Sequence, residues 1–307
     1  MIFRIRFAKY GVVKFIGHLD VMRYFQKAVR RSGLPIKYSQ GFNPHQLMVF
    51  AQPLGVGVTS DGEYMDIETE DVDFDGNPLD TERVSAILGS ALTEGFEIVE
   101  IREIPWQEGT KHPENAMSLI NGADYMLSLK DGYGIYGSEP QGFCDSSASF
   151  MDSDAGEKSC MGKEENDDEK SLRKEEADEK AMSSREYQLI TLREKLDEFL
   201  NRDSIVVSKK SKSGEKDMDI KPYIYEASVT GNEDIPDFIE PKGVTHADIY
   251  EPGIRFFFRL SAGSAVNIKP ELVAEAFFEF IGQTYNPLAF QIHRIQMYRN
   301  VEAAEGL

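Results

Sequence analysis

Residues 2–9 alternate Phe3, Ile5 and Phe7 against Arg4, Arg6 and Lys9, the period of two expected of a half-buried strand. Immediately afterwards Leu19, Met22, Phe25 and Val29 recur at helical spacing between His18 and Ser32, and Gly33 and Pro35 end the run. Two further strands are expected at 47–52 and 63–68, joined through the Gly-rich stretch 54–58. A second helix is expected at 79–93 and a fourth strand at 96–104. A β-α-β-β-α-β order of this kind predicts an α+β, ferredoxin-like unit with helices on one face of an antiparallel sheet.

The same order returns with insertions. Strands are expected at 123–130, 204–208, 223–229, 254–261 and 290–298, with helices at 184–201 and 270–281. This divides the chain into a ferredoxin-like domain over 1–105 carrying a basic face, a linker over 106–122, and a second ferredoxin-like domain over 123–300. Residues 138–185 hold fourteen acidic and seven basic side chains and few aromatics. Such a stretch buries too little apolar surface to offset its ordering entropy, so a disordered acidic insertion is expected there.

Charge is unevenly placed. The chain carries −19 in total, yet residues 1–60 contain nine Lys or Arg and a single acid, Asp20. Residues 61–120 contain three basic and sixteen acidic side chains. A local excess of cations against such an average points to an anionic ligand, of which RNA is the obvious large one. No run approaches the ~18 apolar residues of a membrane span, and the first residues alternate like a strand rather than a signal peptide, so a cytoplasmic protein without a membrane partner is expected. Both cysteines, Cys144 and Cys160, fall in the acidic insertion, which leaves no Cys-rich metal or iron–sulfur site in the folded parts.

Arg23, Lys27, Arg30 and Arg31 fall at i, i+4, i+7 and i+8, a stripe opposite the apolar face of the first helix and without a carboxylate four residues away. With Lys14 they form the expected phosphate-binding set. The run Tyr38-Ser39-Gln40-Gly41-Phe42-Asn43-Pro44-His45 is turn chemistry, in which Gly41 permits positive φ and Asn43-Pro44 fixes the chain, so Tyr38, Asn43 and His45 are expected to contact a base or a protein partner. Phe42 could join them or plug the core. His18, Asp20 and His45 could instead converge to bind a metal or perform acid–base catalysis, although His18 and Asp20 at the start of the helix could equally interact with its free amides. No metal-ligand spacing and no phosphate loop of the Gly-x-x-x-x-Gly-Lys type occurs. Arg202, Lys209, Lys210, Lys212, Lys216 and Lys221 form a second cationic stretch around an expected hairpin.

Lys9-Tyr10-Gly11, Phe15-Ile16-Gly17-His18-Leu19-Asp20, Arg30-Arg31, the run from Tyr38 to His45, Pro53-Leu54-Gly55-Val56-Gly57 and Glu63-Tyr64-x-Asp66 closely resemble the radical SAM-associated (radical SAM-linked) family. This is a bacterial domain of unknown function found beside, or fused to, radical SAM proteins. The match is dense over 1–68 and thinner to Ile220-Lys221-Pro222-Tyr223, where Lys221 stands in a position usually held by Arg. The resemblance implies a radical SAM partner that carries the iron–sulfur cluster and S-adenosylmethionine, with no cofactor in this chain. It also implies a setting in RNA or ribosome metabolism. The expected function is therefore an accessory RNA-binding or substrate-presenting protein, more a companion than an enzyme. The alternatives are an RNA-processing or RNA-modifying enzyme using His18, Asp20 and His45, and a protein–protein adaptor that docks the partner through residues 41–53.

Overall fold

The structure is a computed structural model describing residues 1–105, 114–135, 186–211, 214–232, 234 and 244–307. Strand β1 (Ile2–Lys9) leads through a 3-10 turn into helix α1 (His18–Ser32). Gly17 is the N-cap of α1, and Gly33, at φ 74°, ends it in the left-handed region that glycine enters without a Cβ penalty. Strands β2 (Met48–Phe50) and β3 (Thr59–Glu68) follow, then α2 (Thr81–Gly89) and β4 (Phe96–Glu103). Asp80 caps α2 by accepting from Arg83 N at 2.8 Å.

The short α3 (Ala116–Leu119) precedes β5 (Gly122–Leu129) and a helix α4 over residues 186–200. Next come the hairpin β6 (Val206–Ser211) and β7 (Gly214–Asp219), β8 (Ile224–Thr230), β9 (Arg255–Ser261), α5 (Pro270–Phe280), β10 (Phe290–Asn300) and β11 (Glu305–Gly306). The protein is α+β, as the pattern of periods predicts. The acidic stretch 138–185 and linker residues 106–113 lie outside the described residues, as does Lys212.

One nine-stranded sheet runs β4-β1-β3-β10-β5-β9-β8, with β2 added to β3 and β11 to β10, while β6 and β7 pair separately. Within the first half β1, β3, β4 and β2 are all antiparallel, and so are β10, β5, β9 and β8 in the second. The halves meet where β3 and β10 run parallel for two residue pairs, Thr59 with His293 and Ser60 with Arg294. Gly62 follows at once, and an added Cβ would sit 2.5 Å from Ile295 O. Glycine is required by that backbone approach.

Helices α1, α2, α4 and α5 occupy one face, and α3 lies against the other, its Ala116 N donating to Asp66 Oδ2 at 2.7 Å. Phe3, Ile5 and Phe7 pack with Phe25, Val29 and Leu88 in the first half, and Leu127, Phe256 and Phe258 with Leu196, Phe199 and Phe277 in the second. Each such aromatic contributes about 1.5–3 kcal/mol by leaving water.

The polar side of β1 departs from the simple alternating reading. Arg4 and Lys9 are buried along with the phenylalanines, because β1 is an interior strand and both groups find partners. Arg4 forms a bidentate pair with Asp66, 2.8 and 3.0 Å, and Lys9 donates to the carbonyls of Lys14 and Ile16.

Candidate nucleic-acid interface

Helix α1 is held on the sheet by Val21, Phe25, Ala28 and Val29, all buried, which turns Arg23, Lys27, Arg30 and Arg31 to solvent. The loop after it folds back on itself. Tyr38 bridges Gln46, Ser39 N donates to His45 O at 2.8 Å, and Ser39 Oγ lies 2.8 Å from His45 Nδ1. Gln46 Nε2 then donates to Gln26 O, 3.3 Å, tying the loop to the middle of α1. Tyr38, Phe42, Asn43 and His45 are all exposed at its tip. Phe42 does not plug the core, since the turn around Gly41, at φ 119°, carries it outward into solvent. Beneath the loop a cavity of about 270 Å³ is lined by His45, Gln46, Leu47 and Met48, with Ile2 and Ile104 opposite.

Much of the local positive charge is used inside the molecule. Lys14 points inward to Asp248 Oδ2, 3.0 Å, and Gln291 Oε1, 3.1 Å. Lys37 pairs with Glu68, and Arg6 donates to the carbonyls of Asp61 and Ile295. On α1 itself Arg23 pairs with Asp20 three residues earlier, and Arg31 donates to Ala91 O. Among the described residues Lys27 and Arg30 have no carboxylate partner. The cationic stripe is thus two unpaired groups flanked by two partly engaged ones.

His18, Asp20 and His45 keep separate company. His18 stands edge-on to Phe50, centroids 5.7 Å apart, and caps no helix amide. Burial lowers its pKa, opposed by Glu63 and reinforced by Arg294 and Lys9. Asp20 is with Arg23, and His45 with Ser39. Among the described residues no group of three or more His, Cys, Asp or Glu side chains suits a metal ion, and no helix is long and apolar enough to cross a membrane. In the second cationic stretch Lys221 donates to Arg202 O, and the Arg202 guanidinium lies 5.6 Å from the centre of the Phe280 ring.

The densest polar chemistry lies at the junction of the halves, in residues the periodic pattern did not single out. Asp61 accepts from Thr245 N at 2.7 Å, His246 Nδ1 at 2.5 Å and His293 Nε2 at 3.0 Å. His246 continues to Glu97 at 3.2 Å and stacks on Tyr10, centroids 4.0 Å apart. Burial would push the Asp61 carboxyl up. The hydrogen bond and charge of His293, the Thr245 N–H and the bond from His246 outweigh it and hold the group well below the usual carboxylate range. Alongside, Glu63 and Arg294 pair while fully enclosed, and Lys9 feels both charges. The only sequence sign of this node is polar residues inside strand-like runs, such as Asp61 and Glu63 around Gly62.

A family described as "Uncharacterized protein conserved in bacteria (DUF2344)" matches residues 3–270. No curated protein matches the chain.

Proposed function

The chain belongs to this uncharacterized bacterial family, and from its surface we propose that it is an accessory RNA-binding or substrate-presenting protein. It acts in the cytoplasm beside a radical SAM partner that holds the iron–sulfur cluster and S-adenosylmethionine, in RNA or ribosome metabolism. In this reading the two antiparallel strand orders, β4-β1-β3-β2 and β10-β5-β9-β8, are two ferredoxin-like halves, spanning 1–105 and 123–300.

One observation carries the RNA reading. Phe42 is wholly exposed on a loop that Gln46 fastens to Gln26 of α1, the helix that carries the unpaired Lys27 and Arg30. An aromatic platform next to cations is how single-stranded nucleic acid is held without a base code, and each stacked base contributes about 1–3 kcal/mol. Lys27 and Arg30, with Arg23 and Arg31, take phosphates, while Tyr38, Asn43 and His45 meet a base above the cavity. Lys14 is left out of that set in this reading, its ammonium being paired with Asp248. Two to four phosphate contacts give a log–log salt slope of about −1.4 to −3.

Fluorescence anisotropy with a single-stranded RNA across a salt series tests this. Phe42→Ala should weaken binding about ten-fold or more without lowering thermal stability, and Lys27→Ala/Arg30→Ala should flatten the salt slope. Wild-type binding that is absent or insensitive to salt overturns the reading.

A second reading has its own support. Val12, Phe15, Leu19 and Val56 are exposed around the start of α1, and Val56 lies against Gly17. Such a patch fits an adaptor that docks a protein. Capture of the radical SAM partner that survives nuclease treatment and is lost in Phe15→Asp/Leu19→Asp would favour it. The enzyme reading requires His18, Asp20 and His45 to converge, and each is engaged with different neighbours.

A further inference from the structure

Six buried side-chain polar atoms among the described residues lack a hydrogen-bond partner, and three of them belong to two cross-strand neighbours: Arg255 Nε, Arg255 Nη2 and Thr230 Oγ1. Arg255, on β9, faces Thr230 of β8 on one side and Ser128 of β5 on the other, in one row of the sheet. Residues directly opposite in an antiparallel ladder share a face. That face is the one away from α1, α2, α4 and α5, because Phe257, two residues along, packs with Met126, Val244 and Ile295 rather than with the helix-side core.

Arg255 is 1% exposed, and its one side-chain hydrogen bond among the described residues runs from Nη1 to Gly253 O, 3.0 Å. The contrast with other arginines of the sheet is sharp. Arg4, Arg259 and Arg294 each receive a bidentate carboxylate, whereas Arg255 receives none. An unpaired buried guanidinium is costly, and its two free N–H groups with a spare hydroxyl beside them match the edge of an oxyanion.

We propose that Arg255 and Thr230, flanked by Ser128, form an internal receptor for a small oxyanion, a phosphate or carboxylate group. The anion accepts from Nε, Nη2 and the Thr230 hydroxyl and supplies the missing negative charge. Neither free nitrogen is in contact with solvent, so binding requires the packing over Arg255 to open. The site is independent of the α1 surface, on the opposite side of the sheet.

Thermal unfolding of the full chain in phosphate, acetate or chloride at matched ionic strength tests it. Phosphate or acetate should raise Tm above the chloride value, the larger response identifying the source of the oxyanion. Arg255→Met should lose the response and unfold no earlier than wild type in chloride, because it removes an uncompensated charge. Thr230→Val should weaken the response, and Lys27→Ala/Arg30→Ala should retain it. Should Arg255→Met fail to fold, Arg255→Lys keeps a charge but loses the fork and should bind the anion about ten-fold more weakly. Equal Tm in all three salts, or an anion response that survives at position 255, overturns the proposal.

Discussion

Arg294 and Glu63 form a two-pronged pair, Nε to Oε1 at 2.8 Å and Nη2 to Oε2 at 2.5 Å, across the two-residue parallel contact that joins the halves. Both side chains are enclosed, so removing one partner leaves the other charged and unsolvated. Arg294→Met should cost about 3–5 kcal/mol in urea unfolding, and Glu63→Leu/Arg294→Met should recover much of it. Glu63 is also the anion that opposes the lowering of the Lys9 pKa by burial, so Glu63→Gln should depress that lysine further, read by the chemical shift of its side chain against pH.

Asp61 ties part of the acid stability to a buried carboxylate. Its folded pKa is depressed, so it stabilises the fold above its unfolded value of about 3.9 and loses that contribution as pH falls through the folded value. Asp61→Asn should cost about 3–5 kcal/mol at neutral pH. The gap between wild type and variant should hold down to about pH 4 and close below it, in urea titrations repeated through the acid range. A gap that widens on acidification would contradict this origin.

Gly62 permits the close approach of β3 to β10. A methyl there meets Ile295 O and the Cα of Gln296, backbone atoms that cannot swing aside, so Gly62→Ala should destabilise by about 3 kcal/mol. Gly89→Ala, at the end of α2 with nothing within 4 Å of the new methyl, should stabilise by about 0.4–1 kcal/mol. Chemical denaturation of the two variants checks both signs.

What the sequence discloses follows from which residues repeat. Phe3, Ile5 and Phe7 announce β1, and Leu19, Met22, Phe25 and Val29 announce α1 over the residues it occupies, 18–32. The start of β3 is hidden. It begins at Thr59, four residues before the expected 63, because Thr59, Ser60, Asp61 and Gly62 are buried without being apolar. The cationic residues of α1 and of the turn before it could be read from the sequence, but their partners could not. Asp20 lies three residues before Arg23 rather than four, and Asp248 reaches Lys14 from 234 residues away. The Asp61 node draws on residues 61, 97, 246 and 293. No local periodicity can bring such distant positions together, since their proximity is a property of strand order.

The seam between β3 and β10 also constrains how such a gene can be divided. A polypeptide cut near residue 105 would strand Asp61 without His246 and His293, and Glu63 without its guanidinium. The other piece would offer an open β10 edge where Thr59 and Ser60 now lie. Each fragment on its own should therefore be less stable than in the whole chain, which favours inheritance of the two parts together.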